Sequence, residues 1–348
     1  MSPKRLSFDP KTILVIDFGQ LGDVVLSLPA LRAIRARFPR AHITIAVGKT
    51  GAELINLSGY GDATLEVDRV ALRDGFKPLS IFRVFELVKD VRRRKFDFVI
   101  DLHSLSETNL LGFLSGAPKR LYSRRHGRSL EFLANFHPRP PAEAESSERH
   151  LIDRYLDVLI PLGVKDADRI PQLRTRKTED AVVDQILSKA KVAQGTPLVG
   201  VFPGAGHHSR RWPLEKFAEL ADYMMRNEGV RVLVFAGPEE QSLIREVRTV
   251  FPAGTLILDR LTIPQLAATL ARLAVLVSND TGPMHIATAV GTPVVVILDR
   301  PTPHAFVPIG THHRVICGKR IGDITQDEVY SVARELLASN RMSNISAR

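Results

Sequence analysis

The chain has 348 residues, of which 44% are hydrophobic and 25% charged, proportions of an ordinary folded protein that exclude wholesale disorder. Its 48 Lys and Arg outnumber 38 Asp and Glu, giving a formal charge of +10. Cys317 is the only cysteine, which excludes an intramolecular disulfide and a thiolate metal cluster.

At roughly 100–200 residues per domain, this length predicts two domains. The opening MSPKRLSFDPK is basic, but no apolar signal core follows it. The most apolar later stretch, residues 287–298, is broken by Gly291 and Pro293. A spanning helix needs about 20 apolar residues, so none is expected, and the chain is read as soluble and cytoplasmic.

Along the first half, short β-branched runs predict strands at 12–17, 42–47, 64–67, 97–102 and 120–122. Between the first two, Val24, Leu28, Leu31, Ile34 and Phe38 recur on one helical face. Pro29 within that face predicts a kink, or a helix start nearer Ser27. Ile81, Val84, Phe85, Val88 and Val91 mark a second apolar face, closed by the cations of residues 92–95, which suit a helix C-terminus. Residues 137–149 (HPRPPAEAESSER) read as a loop and residues 171–178 (PQLRTRKT) as the linker.

The second half repeats the alternation. Strands are predicted at 198–202, 230–236, 255–258, 274–278 and 293–298, and helices at 213–228, 238–250, 263–271, 281–290 and 325–338. Such alternation implies an α/β fold with parallel sheets and right-handed crossovers. The expected organisation is one Rossmann-like domain over residues 1–172 and another over 173–348. The last helix is a candidate to pack back on the N-terminal domain. Ligands of open parallel sheets bind at the carboxyl ends of the strands, so the site is expected in a cleft between the two sheets.

The excess charge is local. Residues 69–95 hold nine cations against three acids, and residues 119–139 six against one. Such a field suits nucleic acid, an anionic membrane surface, or a phosphorylated or acidic ligand; the plainer reading is a solvated helix face and a basic loop. No helix-turn-helix, zinc-finger or RNA-binding aromatic pattern accompanies it, so nucleic acid is not expected.

Four segments can carry chemistry. After the first strand comes Asp17-Phe18-Gly19-Gln20-Leu21-Gly22-Asp23, two glycines three apart and an Asp at the helix start. Asp23 reads either as an N-cap or as a general base. The second segment, residues 201–213 (VFPGAGHHSRRWP), is a Gly-rich turn followed by two arginines, able to hold a diphosphate or simply to form a basic turn. In the third, SNDTGPMH over residues 278–285, Asp280, Thr281 and the amides of Gly282, Met284 and His285 surround the start of a helix, where anions are favoured. The fourth, FAGPEE over residues 235–240, offers a carboxylate that either takes ribose hydroxyls or complements a helix N-terminus.

Taken together these segments resemble glycosyltransferase family 9, the bacterial heptosyltransferases. ILVIDFGQLGDVVLSLPALRAIRARFP, FDFVIDLH, PGAGHHSRRWPLEKFAELA and LVSNDTGPMHIATAVGTPVVVIL follow the family's motifs in order, from about residue 12 to 316. The resemblance implies a GT-B architecture, an ADP-heptose donor, the inner core of lipopolysaccharide as acceptor, and inversion at the anomeric carbon with no metal and no cofactor. It places the general base on Asp23 and the basic residue facing the diphosphate on Arg210, where a Lys is common. It assigns donor binding to Gly204, Glu239, Leu261, Asp280, Thr281, Gly282 and His285. Acceptor binding is expected of Gly22, Arg120, Arg124, Arg125 and Arg128, at a lipid-anchored acceptor on the inner face of the inner membrane. Asp17 stands where a basic residue often ends the family's first strand. The alternatives are a GT-B transferase with another donor or acceptor, a sugar-nucleotide epimerase or hydrolase, and a surface-binding protein. The combination of Asp23 with DTGPMH argues against the last, because charge alone requires neither.

Overall fold

The apolar runs become parallel strands in two separate sheets. In a computed structural model, residues 8–68, 78–125, 127–142, 149–299 and 305–346 are described; the side chains of 78–81, 239, 241 and 342–346 lie outside that description. The chain divides into two compact units, Met1–Pro171 and Gln172–Arg348.

The first unit holds β1 (Thr12–Ile16), β2 (His42–Gly48), β3 (Ala63–Val67), β4 (Phe98–Asp101) and β5 (Lys119–Tyr122). Every pairing is parallel, in the order β3-β2-β1-β4-β5. Ile13 to Ile16 and Phe98 to Asp101 are fully buried, as expected of central parallel strands covered on both faces. The helices are α1 (Leu21–Arg37), α2 (Lys49–Ser58), α3 (Pro78–Arg93), α4 (Ser106–Leu114) and α5 (Leu151–Asp157). Right-handed crossovers put α1 and α2 on one face and α3 and α4 on the other. The contacts agree, since α1 packs on α2 and α5, and α3 packs on α4.

Two local expectations need correcting. Helix α1 begins at Leu21, not near Ser27, and runs through Pro29. The ring costs one intrahelical hydrogen bond, but Leu28, Ala30 and Leu31 beside it are buried, and that packing outweighs the loss. On α3 the inward stripe is Leu87, Val88 and Val91. At roughly 100° per residue, Phe85 lies about 60° beyond Val88, off the edge of that stripe, and it is 63% exposed.

The second unit holds β6 (Leu198–Phe202), β7 (Arg231–Phe235), β8 (Leu256–Leu258), β9 (Val275–Asn279), β10 (Val294–Leu298) and β11 (His313–Cys317). They are again all parallel, ordered β11-β10-β9-β6-β7-β8. Strand β11 is not foreseen from the sequence, because HRVIC lacks a buried run; it is an edge strand with one buried residue. The helices are α6 (Lys177–Lys189), α7 (Leu214–Glu228), α8 (Gln241–Val250), α9 (Ile263–Leu270), α10 (Gly282–Ala289) and α11 (Gln326–Ser346). Helix α6 starts inside the segment read as linker. Helix α11 lies against α7, β9 and β10 of its own unit. Val329, Ala333, Leu336 and Leu337 give it an apolar stripe that joins this unit's core.

Both units share one topology. The strand order reverses between β1 and β4 in the first and between β6 and β9 in the second. At such a reversal the flanking crossovers part to opposite faces and leave a crevice outside the carboxyl ends of the strands.

Candidate active site

At the reversal point of the first unit the chain leaves β1 through Asp17, which is completely buried and accepts the Gly19 amide at 3.0 Å. The turn is tight at Gly19. A Cβ there would stand 2.5 Å from the Cβ of Asp23 and 3.0 Å from Asp17 Oδ1, so only glycine fits. The close approach holds Asp23 in the first turn of α1, half-buried, with its Oδ2 accepting the Gln20 amide at 2.9 Å. Gln20 is therefore the N-cap and Asp23 the acidic N3 partner. Gly22 lies in the same turn.

A second buried carboxylate, Asp101, ends β4 in register with Ile16. Its Oδ1 accepts the Ser104 amide and its Oδ2 accepts Asn109 Nδ2, both at 2.7 Å. Asn109 in turn accepts the Leu130 amide at 2.8 Å, and Ser104 Oγ accepts the Ser123 amide at 2.8 Å. The segments after β4 and β5 are thus tied to one carboxylate. Within this frame His103 Nδ1 is 4.0 Å from Asp17 Oδ1, and Arg125 donates to the His103 carbonyl at 2.8 Å. Tyr155 of α5 is buried near Asp17 and Asp23. Burial, followed by the negative charge of Asp17 and Asp23, holds its phenol well above the usual range.

Burial pushes Asp101 up to about 7, against the pull of its hydrogen bonds from Ser104, Thr108 and Asn109, and the Asp17 charge adds to the rise. An unfolded Asp titrates near 3.9, so between the two values the folded chain holds a proton that the unfolded chain has released. This group's stabilisation is complete below the unfolded value and is lost as pH rises through about 7. Thermal melts of Asp101→Asn should therefore lack a downward trend that wild type shows between about pH 4 and pH 7. Parallel curves would remove Asp101 as the titrating group.

The expected cluster of acceptor arginines is only partly assembled. Arg120 lies in the first half of β5, away from the carboxyl ends, and donates to the Ala117 and Leu133 carbonyls. Arg124 pairs with Glu131 at 3.1 Å. Arg139, from the same basic window, donates to the Glu131 and Ala134 carbonyls. Much of the positive charge at 119–139 therefore supports a loop whose backbone carbonyls the sheet leaves unpaired. Arg125 stands beside the Asp17 turn, and Arg128 is exposed on the following turn, where its carbonyl accepts Ser106 Oγ at 3.2 Å. Arg69, Arg73 and Lys77 lie outside the described residues.

In the second unit the turns after β6 and β9 meet at their own reversal point. Gly204 is buried, and a Cβ on it would lie 2.4 Å from Glu240 Oε1. Glu240 is buried too, with Oε2 accepting the Gly237 amide at 2.9 Å, so the fourth segment folds against the second. The carboxylate seated in this turn is that of Glu240; the Glu239 side chain, the expected ribose ligand, lies outside the described residues. Arg210 ends a short 3-10 turn, His208–Arg210, and is exposed. Next to it Trp212 is buried and donates to the Ile324 carbonyl at 3.0 Å.

The residue joining these turns is Asn279, completely buried at the end of β9. Its Oδ1 accepts the Trp212 amide at 3.1 Å, and its Nδ2 donates to the carbonyls of Pro203 (2.9 Å) and Gly204 (3.2 Å). Asp280, Thr281 and Gly282 follow, half-buried, with Thr281 as the N-cap of α10 and His285 buried in its first turn. The free amides at that end make the region attractive to an anion. Leu261 is half-buried just ahead of α9. Asp101, Asn109, Glu240 and Asn279 were not singled out as site residues. Their one sequence signal is a polar residue ending an apolar strand or opening a helix, and that pattern does not say which neighbour it will bond.

Two units of this topology in one chain, each with a glycine-bearing turn at its strand-order reversal, place the protein in the GT-B class of glycosyltransferases. The model of glycosyltransferase family 9 (heptosyltransferase) matches residues 84–331, and the chain belongs to that family. It is 24% identical to lipopolysaccharide heptosyltransferase 2 of Salmonella typhimurium, over 87% of each chain. Among solved structures, a family 9 glycosyltransferase from Veillonella parvula superimposes with a TM-score of 0.84 at 24% identity, covering 96% of this chain and 99% of that one. E. coli heptosyltransferase WaaC with ADP gives 0.74 at 19%, covering 93% and 99%. No helix among the described residues is long and apolar enough to cross a membrane.

Proposed function

We propose that the protein transfers a heptose from ADP-heptose to the inner core of lipopolysaccharide, with inversion at the anomeric carbon and no metal ion. The observation that carries this reading is the placement of a half-buried carboxylate, Asp23, at one reversal point and of the Arg210 and α10 turns at the other. The curated relative acts in lipopolysaccharide synthesis, by its name, and WaaC was solved with ADP.

The acceptor hydroxyl attacks the anomeric carbon as the bond to ADP breaks, and Asp23 takes the hydroxyl proton. Negative charge then gathers on the leaving diphosphate. On this reading Arg210, the Gly204 turn and the amides at the start of α10 meet it, Asp280, Thr281, Gly282 and His285 hold the same end of the donor, and Leu261 serves the nucleoside. Gly22, Arg125 and Arg128 take the acceptor side; Arg120 and Arg124 leave that set, being committed to the loop. A lipid-anchored acceptor brings the enzyme to the inner membrane surface.

Arg210→Ala should lower kcat roughly 10²–10³-fold, the cost of removing one preorganised charge donor, and Arg210→Lys should recover part of it. An Ala variant with normal turnover would clear Arg210 of that role. The assignment as a whole is tested by mass measurement of lipopolysaccharide from a deletion strain, where a truncated inner core is expected. Incubation of purified enzyme with ADP-heptose, with and without acceptor, separates transfer from hydrolysis or epimerisation. Product released at equal rate without acceptor would favour the hydrolase reading.

A further inference from the structure

The outer stripe of α3 has no place in the reaction above. Phe82 and Phe85 are 61% and 63% exposed. At roughly 100° per residue they share an arc of about 100° with Lys89, Arg92 and Arg93, outside the stripe of Leu87, Val88 and Val91 that packs on the sheet. Neighbouring α4 turns Leu110 and Phe113 outward, both more than two-fifths exposed, while its Leu111 packs inward. The Arg120 guanidinium lies over the Phe113 ring, 5.3 Å from its centroid. Single exposed apolar residues are ordinary, but an outward apolar pair on each of two helices that pack together calls for a partner.

The charge around the patch says which partner. Residues 82–95 carry six cations against two acids, Glu86 and Asp90. Glu86 pairs with Lys89, Asp90 with Arg93 and Arg94, and Arg83 with Asp68, yet six cations less two acids leave this stretch at a net +4, with Arg92 outside those pairs. A second copy of the chain would bring like charge against like and is disfavoured. Aromatic rings rimmed by Lys and Arg match the boundary of an anionic bilayer, where rings enter the headgroup layer and cations meet lipid phosphate.

We propose that α3 and α4 form a docking face for an anionic phospholipid bilayer, with Phe82 and Phe85 entering the headgroup layer and Lys89, Arg92 and Arg93 paired with lipid phosphate. Both helices begin at the carboxyl-end side of the sheet, and the Ser106–Arg128 hydrogen bond ties the first turn of α4 to the candidate acceptor turn. Docking would thus hold that turn near the surface where a lipid-linked acceptor resides. This consequence rests on the acceptor reading, whereas the docking itself does not.

The test is co-sedimentation of the full chain with vesicles of phosphatidylcholine alone or mixed with phosphatidylglycerol. Wild type should pellet with the anionic vesicles and be released by salt near 0.5 M. Phe82→Ser with Phe85→Ser, and separately Arg92→Glu with Arg93→Glu, should each lower the partition coefficient about tenfold or more. Both pairs should melt as wild type does and transfer normally to a water-soluble acceptor. Phe85→Trp should show a blue shift on anionic vesicles, since Trp212, the chain's other tryptophan, is buried. Wild type that ignores phosphatidylglycerol, a Phe pair variant that pellets undiminished, or a dimer abolished by that variant would each overturn the proposal. Failure of the heptosyl reading would show instead in the transfer assay, with vesicle binding intact.

Discussion

Asp23→Asn is expected to fold normally and to lose roughly 10²–10⁴-fold in kcat, the usual worth of a positioned base. The amide oxygen of Asn can still accept the Gln20 amide that Asp23 Oδ2 accepts at 2.9 Å, so the helix start is preserved while the proton acceptor is removed. Asp23→Ala should lose turnover to the same degree and should also cost about 1 kcal/mol in stability, because the first turn of α1 loses its carboxylate partner. The pair separates the two readings of this residue. A role confined to capping predicts an Asn variant with near-normal turnover and an Ala variant that is merely less stable. Steady-state kinetics with thermal melts of both variants decides between them.

Asn279→Ala should destabilise the second unit by about 3 kcal/mol, since one substitution strands the Trp212 amide and the Pro203 and Gly204 carbonyls in a buried site. For a unit of this size the shift in Tm is roughly 6–12 °C. Donor affinity should fall with it, because the same side chain fixes the Gly204 turn to the end of β9. Asn279→Asp is no rescue. It keeps an acceptor for the Trp212 amide but turns a carboxylate toward two carbonyls. Calorimetry and a donor-binding titration read both effects, and an Ala variant melting within about a degree of wild type would show that the bridge carries little of the fold.

Much of this molecule is legible in its amino-acid sequence. Parallel strands buried on both faces write themselves as continuous Val, Ile and Leu runs, as in β1, β6, β9 and β10, whereas β3, β5 and β8 are legible only as short β-branched or apolar segments between helical patterns. The turns carrying Asp23, Arg210 and Asp280 were legible because glycine, proline and polar residues crowd together only where a strand hands over to a helix. What stayed hidden has physical causes. Strand β11 is a partly exposed edge and carries no buried run. Phe85 satisfies a spacing rule, but that rule cannot tell which of two overlapping stripes the sheet will cover. Arg120 and Arg124 look like ligands for an acid because charge is visible in a sequence, whereas the loop carbonyls and the Glu131 side chain that occupy them are not. Glu239 and Glu240 are adjacent and chemically identical; that Glu240 is the one packed against Gly204 depends on the 3-10 turn over Pro238–Glu240.

The repeated strand order has a bearing on how such an enzyme can diversify. Each half owns its hydrophobic interior and its own strand-order reversal, so on the proposed reading the machinery that holds the departing group and the machinery that deprotonates the incoming one are written in separate stretches of the gene. Drift in the Arg125–Arg128 turn can retune the nucleophile without disturbing the Asn279 lattice, and the reverse holds equally. A lineage built on this plan can therefore trade one sugar-accepting partner for another while keeping its leaving-group chemistry unchanged.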